Sequence, residues 1–159
     1  MLAWCGRDGL RAQAPGPVLP VPDRELRYEA IHTGAANGET VTVQQPASPS
    51  ASVQFELATV FCAAACTVQI SQNGTGATST ALTTKALNGA PASTATAWSA
   101  SNVSGGTTLN TYNVASNATL TLDLSKFYLG KGSGVNANLS LVIAGTGSTP
   151  QTMIQWVEK

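Results

Sequence analysis

An apolar–polar alternation of period two, recurring from about Tyr28 onward, is what most constrains the fold of this chain. Val41 and Val43 alternate with Thr40 and Thr42. Val53, Phe55 and Leu57 alternate with Gln54 and Glu56, and Val68 and Ile70 flank Gln69. Leu120, Leu122 and Leu124 alternate with Thr119, Thr121 and Asp123; Leu139, Leu141 and Ile143 follow, then Ile154 and Trp156 about Gln155. Successive side chains of a strand point to opposite faces, so this pattern reads as half-buried antiparallel strands. Turn signals separate them: Asn37-Gly38, Asn73-Gly74, Asn88-Gly89, Gly105-Gly106 and the Gly- or Pro-rich stretches 46–49, 130–134 and 145–150. No stretch has a helical period. The expected fold is all-β, an antiparallel β-sandwich or jelly roll of about eight strands. Residues 75–100 fit less well, with only Leu82, Leu87 and Trp98 as large apolar anchors. They are expected to be loops or thin strands covered by another subunit.

Charge divides the chain. Between Thr40 and Leu122 the only charged side chains are Glu56 and Lys85, and the whole chain is 10% charged with zero net charge. A typical globular domain has about 25%. A surface hydrated by hydroxyls and amides suits contact with neighbours more than electrostatic steering or acid–base work. No basic stripe marks a nucleic-acid partner. The longest apolar stretch, residues 58–65, is far short of the roughly 20 residues of a membrane-spanning helix.

Residues 1–29 hold four arginines, four acids and four of the eight prolines. Pro15, Pro17, Pro20 and Pro22 fix φ and remove donors, so residues 14–22 are expected to run extended and outside any central strand. Residues 1–27 therefore read as an N-terminal arm and 28–159 as the β-domain. The arm is expected to lie either on a partner or back on its own domain; on a partner, Trp4, Leu10 and Leu19 are the expected anchors, with Arg7, Arg11, Arg24 and Arg27 placed to meet acidic rims. Ala12-Gln13-Ala14 has the look of a signal cleavage site. Arg7, Asp8 and Arg11 interrupt the apolar block such a signal needs, so synthesis and assembly in the cytoplasm are expected.

Residue types that carry chemistry are few. His32 is the only histidine, and no G-x-S-x-G elbow accompanies it. Three cysteines, one histidine and scattered acids make no zinc pattern. Glu56 and Asp123 could be set across a sheet as a glycosidase pair, but both alternate onto the polar side. No enzyme, metal or cofactor is expected. Cys62-Ala-Ala-Ala-Cys66 admits two readings. In a straight strand the two ends lie about 13 Å apart, so a disulfide requires the alanines to turn; otherwise both are buried thiols. Cys5 has no evident partner.

Several segments together resemble a known family: residues 73–83 (NGTGATSTALT), 101–109 (SNVSGGTTL), 121–125 (TLDLS), 138–143 (NLSLVI) and 154–158 (IQWVE). They resemble the small jelly-roll proteins that tailed bacteriophages carry on their capsids as decoration (cement) or head-fibre proteins. The resemblance runs from about Val53 to Glu158. It implies a non-enzymatic virion protein, commonly a homotrimer, bound to a major capsid protein at the capsid surface; it implies no catalytic residues. A carbohydrate-binding or adhesin module is the alternative, with Trp98, Tyr112 and Tyr128 as stacking candidates and Asn110, Asn113 and Asn136 nearby in sequence. A further alternative is an extracellular filament subunit that donates residues 26–31 to a neighbour's sheet.

Overall fold

In a computed structural model of the chain, twelve strands form two antiparallel sheets of six, packed face to face. The structure describes residues 25–35, 37–46, 48–74, 80–99, 105–131 and 137–159. The strands are β1 (Leu26–Thr33), β2 (Gly38–Gln44), β3 (Val53–Cys62), β4 (Cys66–Gln72), β5 (Thr80–Leu82) and β6 (Thr84–Ala86). They continue with β7 (Thr96–Ser99), β8 (Thr107–Val114), β9 (Ala118–Asp123), β10 (Tyr128–Leu129), β11 (Asn138–Ala144) and β12 (Gln151–Glu158).

Eight of these carry the wiring of a jelly roll. One sheet reads β1-β12-β3-β9, the other β2-β11-β4-β8. The chain passes between the sheets at one common end through four short arches: β1 to β2, β3 to β4, β8 to β9 and β11 to β12. This is the two-Greek-key arrangement. The strand count exceeds the expected eight because β5, β6, β7 and β10 are short additions to the flanks. β6 lies on β1, β7 on β2, β5 on β7, and β10 on the first residues of β3. Each has at most four residues, too few to show a period. Part of residues 75–100 therefore lies on this chain's own sheets, with Leu82 packed against the core.

The core is one cluster drawn from both sheets, with Tyr28, Phe55, Val60, Ile154 and Trp156 facing Val41, Val43, Val68, Ile70, Leu139 and Leu141. Each such side chain contributes on the order of 1.5–3 kcal/mol by leaving water. Tyr28 and Trp156 stack with ring centroids 6.0 Å apart. Phe55 sits in this core, but Leu57 does not share its face as simple alternation predicts. The pairing of β3 with β12 slips so that Glu56 is the extra residue of a β-bulge. Beyond it the inward positions pass to Ala58, Val60 and Cys62, and Leu57 turns to the outer face, half-buried. On β2 the polar positions are not a solvent face: Thr42 and Ser140 are fully buried and bonded hydroxyl to hydroxyl at 2.8 Å.

The arch end is held tightly. The N–H groups of Gly34, Ala63 and Asn117 donate to the carbonyls of Pro150, Ser148 and Cys62 at 2.7, 2.8 and 2.9 Å, joining all four arches. Gly38 begins β2 with φ +106°, and a Cβ there would lie 2.4 Å from the Ile143 carbonyl oxygen, so both conformation and space require glycine. The sheet starts at Leu26, two residues before the boundary expected between arm and domain.

Candidate functional site

The outer face of the β1-containing sheet is the most distinctive surface among the described residues. Its cross-strand register lays residues out in straight rows. One row runs Lys85, Glu29, Gln155, Leu57, Asp123; the next Ile31, Met153, Thr59, Thr121; the third Thr33, Gln151, Phe61, Thr119. Residues directly opposed across antiparallel strands share a face, so these rows make one continuous field. Ile31 is 53% exposed at its centre. Ile31, Met153, Phe61 and their threonine neighbours line a shallow depression of about 270 Å³. Lys85 and Asp123 stand on opposite flanks of this field, both exposed. The Asp123 carboxylate accepts the Ser125 N–H at 2.9 Å. That hydrogen bonding, aided by the Lys126 charge, holds its carboxyl below the usual aspartate value.

At the arch end, Cys62 and Cys66 are joined as a disulfide with Cα atoms 6.3 Å apart, and residues 63–65 make the turn between β3 and β4. Nearby, His32 Nε2 lies 3.2 Å from the Glu39 carboxylate, whose other oxygen accepts the Ala35 N–H at 2.9 Å. Glu39 is buried while His32 is partly open. The lone histidine is thus tied to a buried acid rather than left as a free surface residue. Glu39 stands near the start of β2, and Thr152 lies directly opposite His32 on β12.

At the opposite end sits the most heavily bonded carboxylate. Glu158 is 3% exposed. It accepts hydrogen bonds from the hydroxyls of Ser93 and Thr94, the N–H groups of Thr94 and Ala95, and Trp156 Nε1. Burial alone pushes this carboxyl up; the donors on Ser93, Ala95 and Thr94 outweigh it, and the group titrates below the ordinary glutamate value. Burial, and next to it the Glu158 charge, raise the Tyr28 hydroxyl. With every acceptor position engaged by its own chain, Glu158 is a structural latch for residues 93–95. Sequence reading missed it: Glu158 is in phase with inward Ile154 and Trp156, but nothing local shows the donors on residues 93–95 that make an inward acid tolerable.

The remaining candidate residues scatter. Trp4, Arg7, Leu10, Arg11, Leu19, Arg24 and Asn136 lie outside the described residues. Arg27, assigned to the arm by sequence, belongs to β1 and pairs with Glu25 and Glu56, each at 3.2 Å. Residues 26–31, considered for donation to a neighbour, are paired within this chain against β12 and, in part, β6. Trp98, Tyr112 and Tyr128 are not brought together. Trp98 shares the outer face of the second sheet with Thr42, whereas Tyr112 shares the inward face with Val68 on the far edge strand. Tyr128 stands on the other sheet, 65% exposed. Glu56 and Asp123 are likewise apart in function, one paired with Arg27 and the other bonded to Ser125. No cluster of metal-ligating side chains occurs among the described residues.

What these features define is a jelly-roll sandwich with one outer face of threonines, glutamines and a few apolar residues, with charges in one row. Comparison with family models, with curated proteins and with solved structures finds no match to this chain.

Proposed function

We propose that this chain is a structural protein that self-associates and decorates a larger assembly, a tailed-phage capsid being the assembly its sequence resemblance favours. The observation that carries this reading is the outer face of the β1 sheet, where Ile31, Met153, Leu57 and Phe61 lie among threonines and glutamines on a continuous field. Its hydroxyls and amides cost less to take out of water than charges would, provided they find hydrogen-bond partners in the contact. Ile31 is exposed there and Leu57, Phe61 and Met153 are half-buried beside it, an apolar centre of the kind a contact surface uses. The arm, residues 1–24, supplies further anchors in Trp4, Leu10 and Leu19, reaching onto the assembly from the start of β1.

Co-sedimentation with an undecorated tailed-phage capsid tests this. The full chain is expected to pellet with the capsid. A form lacking residues 1–24 retains every core residue among those described, from Tyr28 onward, and is expected to stay folded by circular dichroism while remaining in the supernatant. Full-occupancy binding by the truncated form would remove the arm from the reading. Failure of the full chain to pellet would remove the capsid.

A further inference from the structure

The geometry points to a specific partner for the outer face of the β1 sheet: the same face of a second copy of this chain, related by a two-fold axis running along β12. This inference deepens the self-association part of the proposed function and does not depend on the capsid.

β12 is the middle of the five columns that make the face, ordered β6, β1, β12, β3, β9. A two-fold axis lying in the face along β12 maps the face onto itself, keeping each row at its level while exchanging its flanks. Lys85 of one copy then meets Asp123 of the other, twice, because both belong to one row. Met153 meets Met153, and Ile31 lies over Thr59 beside Phe61. Glu29 keeps its hydrogen bond from Gln155 Nε2 at 3.4 Å, and Glu56 keeps Arg27, so neither acid depends on the second copy. Lys85 has no ion-pair partner among the described residues. The other in-plane two-fold, perpendicular to the strands, sets each column over its own copy and brings the Lys85 flanks onto the same side. Charge complementarity therefore selects the axis along β12.

An isologous contact of this kind closes as a dimer. Sheets packed face to face sit about 10 Å apart, a gap that Met, Ile and Phe side chains fill. The widest row spans five strands, about 24 Å, and the three rows cover about 20 Å along the strands. Two of the rows lack β6, leaving roughly 400 Å² on each copy, below the standard size of a specific interface, so pairing is expected to be weak and concentration-dependent.

Sedimentation velocity on the full chain, from about 5 to 500 µM, is expected to show a monomer–dimer equilibrium in this concentration range. Lys85→Glu and Asp123→Lys, both at exposed positions that leave the fold intact, are each expected to weaken it about tenfold, two attractive pairs becoming repulsive. The double variant K85E/D123K is expected to restore it. In a Cys5→Ser background, Met153→Cys is expected to cross-link to dimer with a short bis-maleimide, because that position lies on the axis. A mass fixed at one chain throughout, a three-chain mass, or no rescue by the charge swap would overturn the proposal. So would loss of pairing on Trp4→Ala/Leu10→Ala with indifference to Lys85→Glu, which would make the arm the occupant of the face. Capsid co-sedimentation is read separately, so a chain that pairs without binding capsid, or binds without pairing, distinguishes the two readings.

Discussion

Glu158 shows how one side chain near a strand end can fix a distant loop. Five donors from Ser93, Thr94, Ala95 and Trp156 converge on it. Replacing it by Ala strands several buried donors at once, each at about 1–3 kcal/mol. Glu158→Ala is therefore expected to lower stability by about 3 kcal/mol, readable as a shift in the urea midpoint. The pH dependence has a definite sign. Because the folded carboxyl titrates below its unfolded value, the unfolded chain takes up the proton first on acidification. The stability the group contributes is full above about pH 4.3 and is lost as pH falls through the folded value. Between pH 5 and 3 the natural chain is expected to lose more stability than Glu158→Gln, compared by urea titration at each pH.

At the level of single elements, β3 is decided by its bulge. With Glu56 as the extra residue, Leu57 faces out and Val60 faces in, fully buried. Leu57→Thr is expected to change stability by no more than about 0.5 kcal/mol, as an outward position. Val60→Thr is expected to cost about 2 kcal/mol by burying an unpaired hydroxyl. Uninterrupted alternation predicts a core role for Leu57, so thermal melts of the two variants separate the registers. The arch that follows is closed by Cys62–Cys66. A bridge around so small a loop removes little unfolded-state entropy, so the double substitution Cys62→Ala/Cys66→Ala is expected to cost about 2 kcal/mol by chain-entropy reckoning. Reductant is expected to lower the urea midpoint of the natural chain toward that of the variant and to leave the variant unchanged.

For the whole molecule, the arch end and the outer face of the β1 sheet have different characters. The arch end is tied by hydrogen bonds between all four crossings and by close backbone approaches, such as Gly145, where a Cβ would lie 2.6 Å from the Ala65 carbonyl oxygen. It is the rigid end of the sandwich. The outer face of the β1 sheet carries exposed Ile31 among half-buried neighbours, with Lys85 and Asp123 at its flanks and Glu29 beside Lys85. An Ile31→Lys substitution there is expected to leave the melting temperature within a few degrees, since surface changes act weakly, while abolishing concentration-dependent association in sedimentation. A variant that melts normally and still associates would place the contact elsewhere on the molecule.

By itself the sequence determined the class of fold, because period-two alternation interrupted by Asn-Gly and Gly-Gly turns requires antiparallel strands with one face buried. It also marked most of the long strands and the core residues Val41, Val43, Phe55, Ile154 and Trp156. It did not reveal the short flanking strands, whose three or four residues carry no period. Nor did it reveal the bulge in β3, since residues 58–62 are apolar or small on both faces and either register is compatible with them. The latch on Glu158 joins it to donors 63 to 65 positions away, and the row that carries Lys85 and Asp123 at its ends is built from pairs as far apart in the chain as Glu29 and Gln155. Such juxtapositions depend on strand order and register, which are settled by how two sheets bury one shared core and by no local pattern along the chain.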